Sequence, residues 1–149
     1  MKNFLVAVDF SAITARVIED TEGLARALGG KITLLHVVPT PTSATAEFPV
    51  PVEDIQGAIV VLNKDARDKL AEYAGKVGRD GLSCAAEVLV GDPVDLILEQ
   101  ARKSKADYIV MGSHGHGKLY DFLVGSTASG VIKRAKCGVI ILPIEKKHG

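Results

Sequence analysis

Phe4-Leu5-Val6-Ala7-Val8-Asp9-Phe10-Ser11 opens the chain with five consecutive apolar residues, then an acid and a hydroxyl. An unbroken apolar run of this length suits a strand covered on both faces, since a strand with one wet face alternates instead. Asp9-Phe10-Ser11 then leaves the strand and opens a helix, with Ser11 expected as N-cap because its hydroxyl can accept from an orphan N–H. Ile13, Val17, Leu24 and Leu28 follow on one stripe at helical spacing. Gly29-Gly30 stops that helix. A doubly covered strand followed at once by an amphipathic helix is the unit from which parallel α/β sheets are built.

The same alternation runs outward through the chain. Lys31 to Val38 reads as a second buried strand. Residues 39–51 carry Pro39, Pro41, Pro49 and Pro51 with Thr and Ser between them, the texture of a mobile loop. From Val52, the residues Ile55, Ile59, Leu62, Ala66, Leu70, Tyr73 and Val77 keep steps of four and three, which predicts a long helix. A third strand is expected over Ser83 to Val90. Gly91-Asp92-Pro93 then places an Asp N-cap before a Pro at the first helical position, and Val94, Ile97, Leu98 and Ala101 form the inward face. Tyr108 to Met111 is the fourth strand. A last helix starts near Ser126, with Ala128, Val131, Ile132 and Ala135 inward and Lys133, Arg134 and Lys136 complementing its dipole. Val139 to Leu142 is the fifth strand. The expected class is therefore α/β, an open five-stranded parallel sheet with helices on both faces, Rossmann-like, in one domain over residues 1–149. The fold type implies strand order 3-2-1-4-5.

The totals exclude several functions. The 149 residues carry 18 Lys and Arg against 18 Asp and Glu, so no basic excess marks a nucleic-acid binder. No apolar run approaches the roughly 18 residues that cross a bilayer, and the short apolar start is interrupted by Asp9 too early for a secretion signal. A cytoplasmic protein without a membrane or nucleic-acid partner is expected. Cys84 and Cys137 have no metal-ligand spacing and read as free thiols.

In open parallel sheets, ligands bind beyond the carboxyl ends of the strands where the strand order reverses. With order 3-2-1-4-5, that rim carries Asp9-Phe10-Ser11 and Gly112-Ser113-His114-Gly115. Without a Cβ, Gly112 and Gly115 let the backbone approach a phosphate. Gly125-Ser126-Thr127 opens a helix whose first N–H groups and hydroxyls suit an anion. Two such turns suit a polyphosphate, and plain turn formation is the competing reading of the same glycines. Residues 112–118 also match GxxxxGK, but Leu119 stands where a phosphate-binding loop of that type needs Ser or Thr for Mg2+. His114 and His116 lack the further ligands of a closed zinc site, and no metal-ligating side chains are assigned.

These residues resemble the ATP-binding branch of the universal stress protein family, whose pattern is G-2x-G-9x-G-[S/T]. Here it runs Gly112, two residues, Gly115, nine residues, Gly125-Ser126. Residues 6–11, 34–38, 91–93 and 139–143 add to the resemblance in order. It implies an adenine nucleotide, ATP with Mg2+ or Mn2+ bound through the phosphates. It also implies that Ala7 and Asp9 meet the nucleotide at the end of the first strand, Asp9 near the ribose. Val37 or Val38 would line the adenine pocket, and Met111, Gly112, His114 and Gly115 would run past ribose and phosphates. Gly125, Ser126 and Thr127 would hold the phosphates. Residues 139–143 would form the edge through which a homodimer pairs. For Asp9, simple capping of the first helix is the competing role.

The implied function is an ATP-binding, stress-linked regulator. A slow Mg2+-dependent ATPase and a nucleotide-free interaction module are the alternatives. No catalytic residue is assigned, because neither His114 nor Lys118 has a visible partner that would make it a base.

Overall fold

The computed structural model describes residues 1–40, 52–113 and 124–143. Its strands are β1 (Lys2–Ala7), β2 (Gly30–Val38), β3 (Cys84–Val90), β4 (Tyr108–Gly112) and β5 (Gly138–Leu142). Its helices are α1 (Thr14–Leu28), α2 (Val52–Arg79), α3 (Pro93–Lys103) and α4 (Ser126–Arg134). Among these residues the strands form one parallel sheet in the order β3-β2-β1-β4-β5, as the fold type implied. The expected loop falls almost wholly on residues 41–51, outside the described residues.

The apolar runs divide between the sheet's two faces. Phe4, Val6, Ile32 and Leu34 face α1 and α2, with Val17, Ala25, Leu70 and Val77 packed on them. Leu5, Leu35, Val37, Ile109 and Met111 face α3 and α4, with Ile97, Ala128 and Val131. Fully burying each large aliphatic side chain contributes about 1.5–3 kcal/mol, so each face is held mainly by transfer from water. Across the strand starts the sheet matches large residues to small ones. Phe4 stacks on Tyr108 with ring centroids 5.4 Å apart. A Cβ on Gly30 would lie 2.6 Å from the Phe4 ring and 2.8 Å from the Lys2 carbonyl oxygen. Gly138 stands in the same relation to Tyr108, at 2.7 Å.

Caps and helix faces show where local patterning held. Asp92 is the N-cap of α3, its side chain accepting from Asp95 N–H at 2.9 Å, with Pro93 at the first turn. Gly29 ends α1 in the left-handed conformation, φ 68° and ψ 53°, and its N–H reaches the Ala25 carbonyl.

Four expectations are corrected. Ser11 is not the N-cap of α1: the helix starts at Thr14, Ile13 holds the cap position, and no side chain caps it. The chain first makes a tight turn, in which Ser11 N–H donates to Asp9 Oδ1 and Ser11 O accepts from Thr14 N–H. Leu28 is exposed because the buried stripe of α1 runs through Thr14, Val17, Ile18, Thr21 and Ala25 instead. Leu62 is exposed with its neighbours Val60 and Val61. At about 1.5 Å per residue the 28 residues of α2 span about 42 Å. The seven residues of β3 span about 23 Å, so the first half of α2 overhangs the sheet. Ile132 is 47% exposed, since only Ala128 and Val131 of α4 are buried against the sheet.

Candidate functional site

From β1 the chain crosses to β2 on one side, and from β4 it crosses to β5 on the other. The connections therefore diverge between β1 and β4, and a crevice opens at their carboxyl ends. It holds a cavity of about 400 Å³, within the range of small-molecule sites.

The structure brings most of the expected residues to this cavity. Ala7 and Asp9 line it from the end of β1, and Met111 and Gly112 from the end of β4. Gly125, Ser126 and Thr127 line it from the start of α4. Val37 lines it from β2, whereas Val38 is buried on the opposite face of the sheet and does not line it. The pleat decides this, because neighbouring strand residues face opposite ways. His114 and Gly115 lie outside the described residues, as do His116 and Lys118.

The chemistry of the walls is uneven. Leu35, Val37, Ile97 and Met111 give one side an apolar surface, all of them buried. The N-terminus of α4 also opens onto the cavity. Gly125 is its N-cap, no side chain caps it, and no acidic residue stands in its first turn. The Gly125 N–H is consumed internally, donating to the Ser113 carbonyl at 2.7 Å, and Ser113 N–H donates to Leu142 O at 2.8 Å. These bonds tie the turn to β4 and β5. The amides of Ser126, Thr127 and Ala128 are then the groups that helix geometry leaves without an intrahelical partner. With the positive end of the helix dipole behind them they suit an anion. No lysine or arginine is among the described residues lining the cavity, so an anion there meets amides and hydroxyls. Asp9 supplies a carboxylate at the rim, with Oδ1 accepting from Ser11 N–H at 3.0 Å.

Sequence reasoning missed part of this wall. Ile13 at the cap of α1, Thr14 and Val17 within it, and Pro93 and Ile97 of α3 reach the cavity only because both helices start at the same rim. Their apolar spacing marks them as core and carries no sign of a ligand. His36 also lines the cavity, with Nδ1 2.7 Å from the Val8 carbonyl oxygen. Both cysteines are free and neither lines the cavity. Burial, with a smaller push from the Glu22 charge, raises the Cys84 thiol to about 11. Burial also pushes Cys137 up. Thiols held protonated in this way are poor nucleophiles. Among the described residues no three His, Cys, Asp or Glu side chains converge as metal ligands, and no helix is long and apolar enough to cross a membrane.

Fold and crevice together define a doubly wound α/β protein with a cleft at the sheet's switch point, lined in part by an open helix N-terminus. The universal stress protein family model matches residues 1–143. The chain belongs to that family. It is 29% identical over 148 residues to a universal stress protein of Methanocaldococcus jannaschii, covering 99% of this chain and 85% of that one. Universal stress protein UspA from Lactobacillus plantarum superposes with a TM-score of 0.82 at 25% identity, covering 95% of this chain and 97% of that one. The Archaeoglobus fulgidus universal stress protein in complex with dAMP superposes with a TM-score of 0.66 at 25% identity, covering 95% and 97%.

Proposed function

We propose that this protein binds ATP in the crevice between β1 and β4 and acts as a nucleotide-dependent regulator. The observation that carries the reading is the uncapped N-terminus of α4, which lines, with Gly112, a cavity that also has apolar walls. An adenine needs a flat apolar wall, and a polyphosphate needs converging donors. The A. fulgidus relative in complex with dAMP supports an adenine nucleotide as the ligand class. Ala7, Asp9, Val37, Met111, Gly112, His114, Gly115, Gly125, Ser126 and Thr127 are the proposed contacts. Asp9 takes the ribose end and Ser126 and Thr127 the phosphate end.

Without a cationic side chain among the described lining residues, the negative charge of a triphosphate calls for a divalent cation. Mg2+ or Mn2+ held through the phosphates and water fits this donor set better than a protein cage does. Binding rather than turnover is the proposed activity, in the cytoplasm. A homodimer paired through the outer edge of β5 would place the Ser113–Leu142 hydrogen bond between nucleotide site and interface.

Calorimetric titration with ATP and Mg2+ tests the reading. Micromolar or tighter binding is expected, lost in Gly115→Val and in Gly125→Val. Unchanged affinity in both variants would remove the site assignment. ADP release no faster than a blank would separate binding from hydrolysis.

A further inference from the structure

The turn between β1 and α1 is strained where it meets the crevice. Phe10 stands at φ 62°, in the left-handed region, which is uncommon for a bulky side chain. Such a conformation persists only where the surroundings over-determine it. After Val8 the chain leaves the sheet. Its N–H still donates to Leu35 O at 2.9 Å, continuing the β1–β2 ladder. Its carbonyl is met instead by His36 Nδ1 at 2.7 Å. A carbonyl oxygen only accepts, so that nitrogen carries the proton. The His36 ring then lies 4.4 Å from the Phe10 ring, tilted by 36°. The Lys69 ammonium of α2 stands 5.4 Å from the centre of the same Phe10 ring. Hydrogen bond, ring contact and cation together hold the turn.

The consequence falls on Asp9. With Phe10 left-handed, Ser11 N–H turns back to Asp9 Oδ1 at 3.0 Å and fixes the carboxylate. Asp9 and His36 line the cavity, and Phe10 does not. A carboxylate offers acceptors alone and repels phosphate, so on a nucleotide its partners are donors, and the ribose hydroxyls are the donors expected at this end. We propose that His36 and Phe10 are positioning residues that hold the Asp9 carboxylate in the orientation that reads the ribose hydroxyls. This rests on the nucleotide reading above.

The test compares the affinities of ATP, 2′,3′-dideoxy-ATP and inorganic triphosphate. The proteins are the wild type, Asp9→Ala, Phe10→Asn, His36→Leu and His36→Gln, each checked for folding by far-UV circular dichroism. Asn tolerates the left-handed conformation but has no ring, Leu has no donor, and Gln restores one. The wild type should prefer ATP over the dideoxy nucleotide by about tenfold or more, the scale of a hydrogen bond to a charged group. Asp9→Ala should abolish the preference. Phe10→Asn and His36→Leu should cut it to about threefold or less, with triphosphate affinity unchanged and His36→Gln partly restored. Adding Phe10→Asn to Asp9→Ala should change the preference no further. A purely structural role would weaken all three ligands together, and that result overturns the proposal. So does full preference retained in His36→Leu, which carries the test if Phe10→Asn does not fold. ATP binding by the wild type without any ribose preference overturns the positioning role alone. No ATP binding at all removes the nucleotide reading with it.

Discussion

Glu22→Gln should make this protein more stable at neutral pH. Glu22 lies on the buried face of α1, only 5% exposed, and its Oε1 has no hydrogen-bond partner. Oε2 is 3.4 Å from Arg26 Nη2, a long contact, while the same nitrogen donates to the Asp80 carbonyl at 2.9 Å. Burial is the main cause that raises the Glu22 carboxyl above its ordinary value of 4.5. The Asp80 carboxylate nearby adds to it, against smaller opposing effects of Arg26 and Lys76. An acid with a raised native pKa binds its proton more tightly when folded. Stability therefore falls as pH rises from the unfolded value through the native one, and the full penalty applies above both. Glutamine keeps the shape and removes the charge. Leaving a buried polar group unsatisfied costs about 1–3 kcal/mol. Since Gln keeps one uncompensated acceptor, a gain of about 1 kcal/mol is expected at pH 7.5. For a chain of 149 residues that is about 3 °C in Tm. Thermal and urea melts of both proteins at pH 7.5 and pH 4 give the comparison. The gap should close near pH 4, where both states of Glu22 are largely protonated. Equal stability at pH 7.5, or a gap that persists at pH 4, would refute the reasoning. The same substitution removes a charge that helps to raise Cys84, so the thiol should react somewhat faster with an aromatic disulfide.

Other substitutions probe the fold. Gly23→Ala in α1 meets nothing within 4 Å, so it should stabilise by about 0.5–1 kcal/mol in a urea melt through helix propensity alone. Gly30→Ala should do the opposite, by about 2–3 kcal/mol, because its Cβ would meet the buried Phe4 ring and a strand carbonyl that cannot yield. Asp92→Ala removes the α3 cap bond to Asp95 N–H and should cost about 1 kcal/mol, read as a lower urea midpoint with unchanged slope.

Much of the molecule was legible from residue order, because the deciding signals are local. Apolar runs such as Phe4–Val8 admit few arrangements other than a doubly covered strand. Gly91-Asp92-Pro93 caps its helix through contacts three residues apart, and Gly29 closes another by its own left-handed backbone. Gly112 and Gly125-Ser126-Thr127 marked the crevice, since they sit at a strand end and a helix start. Other features depend on what packs on what. Val37 and Val38 are chemically equal in sequence, and only the pleat of β2 sends one to the cavity and the other to the opposite face of the sheet. Leu62 keeps perfect helical spacing and is still exposed, because α2 outruns the sheet. Ser11 looks like a cap, but Phe10 takes a left-handed turn that gives the Ser11 N–H to Asp9. The His36 ring nitrogen meets the Val8 carbonyl because the chain turns away from the sheet just after Val8. Periodicity reports which side of an element is apolar. Where that element ends against its neighbours, and which carbonyl its last residue leaves unpaired, is set by tertiary packing.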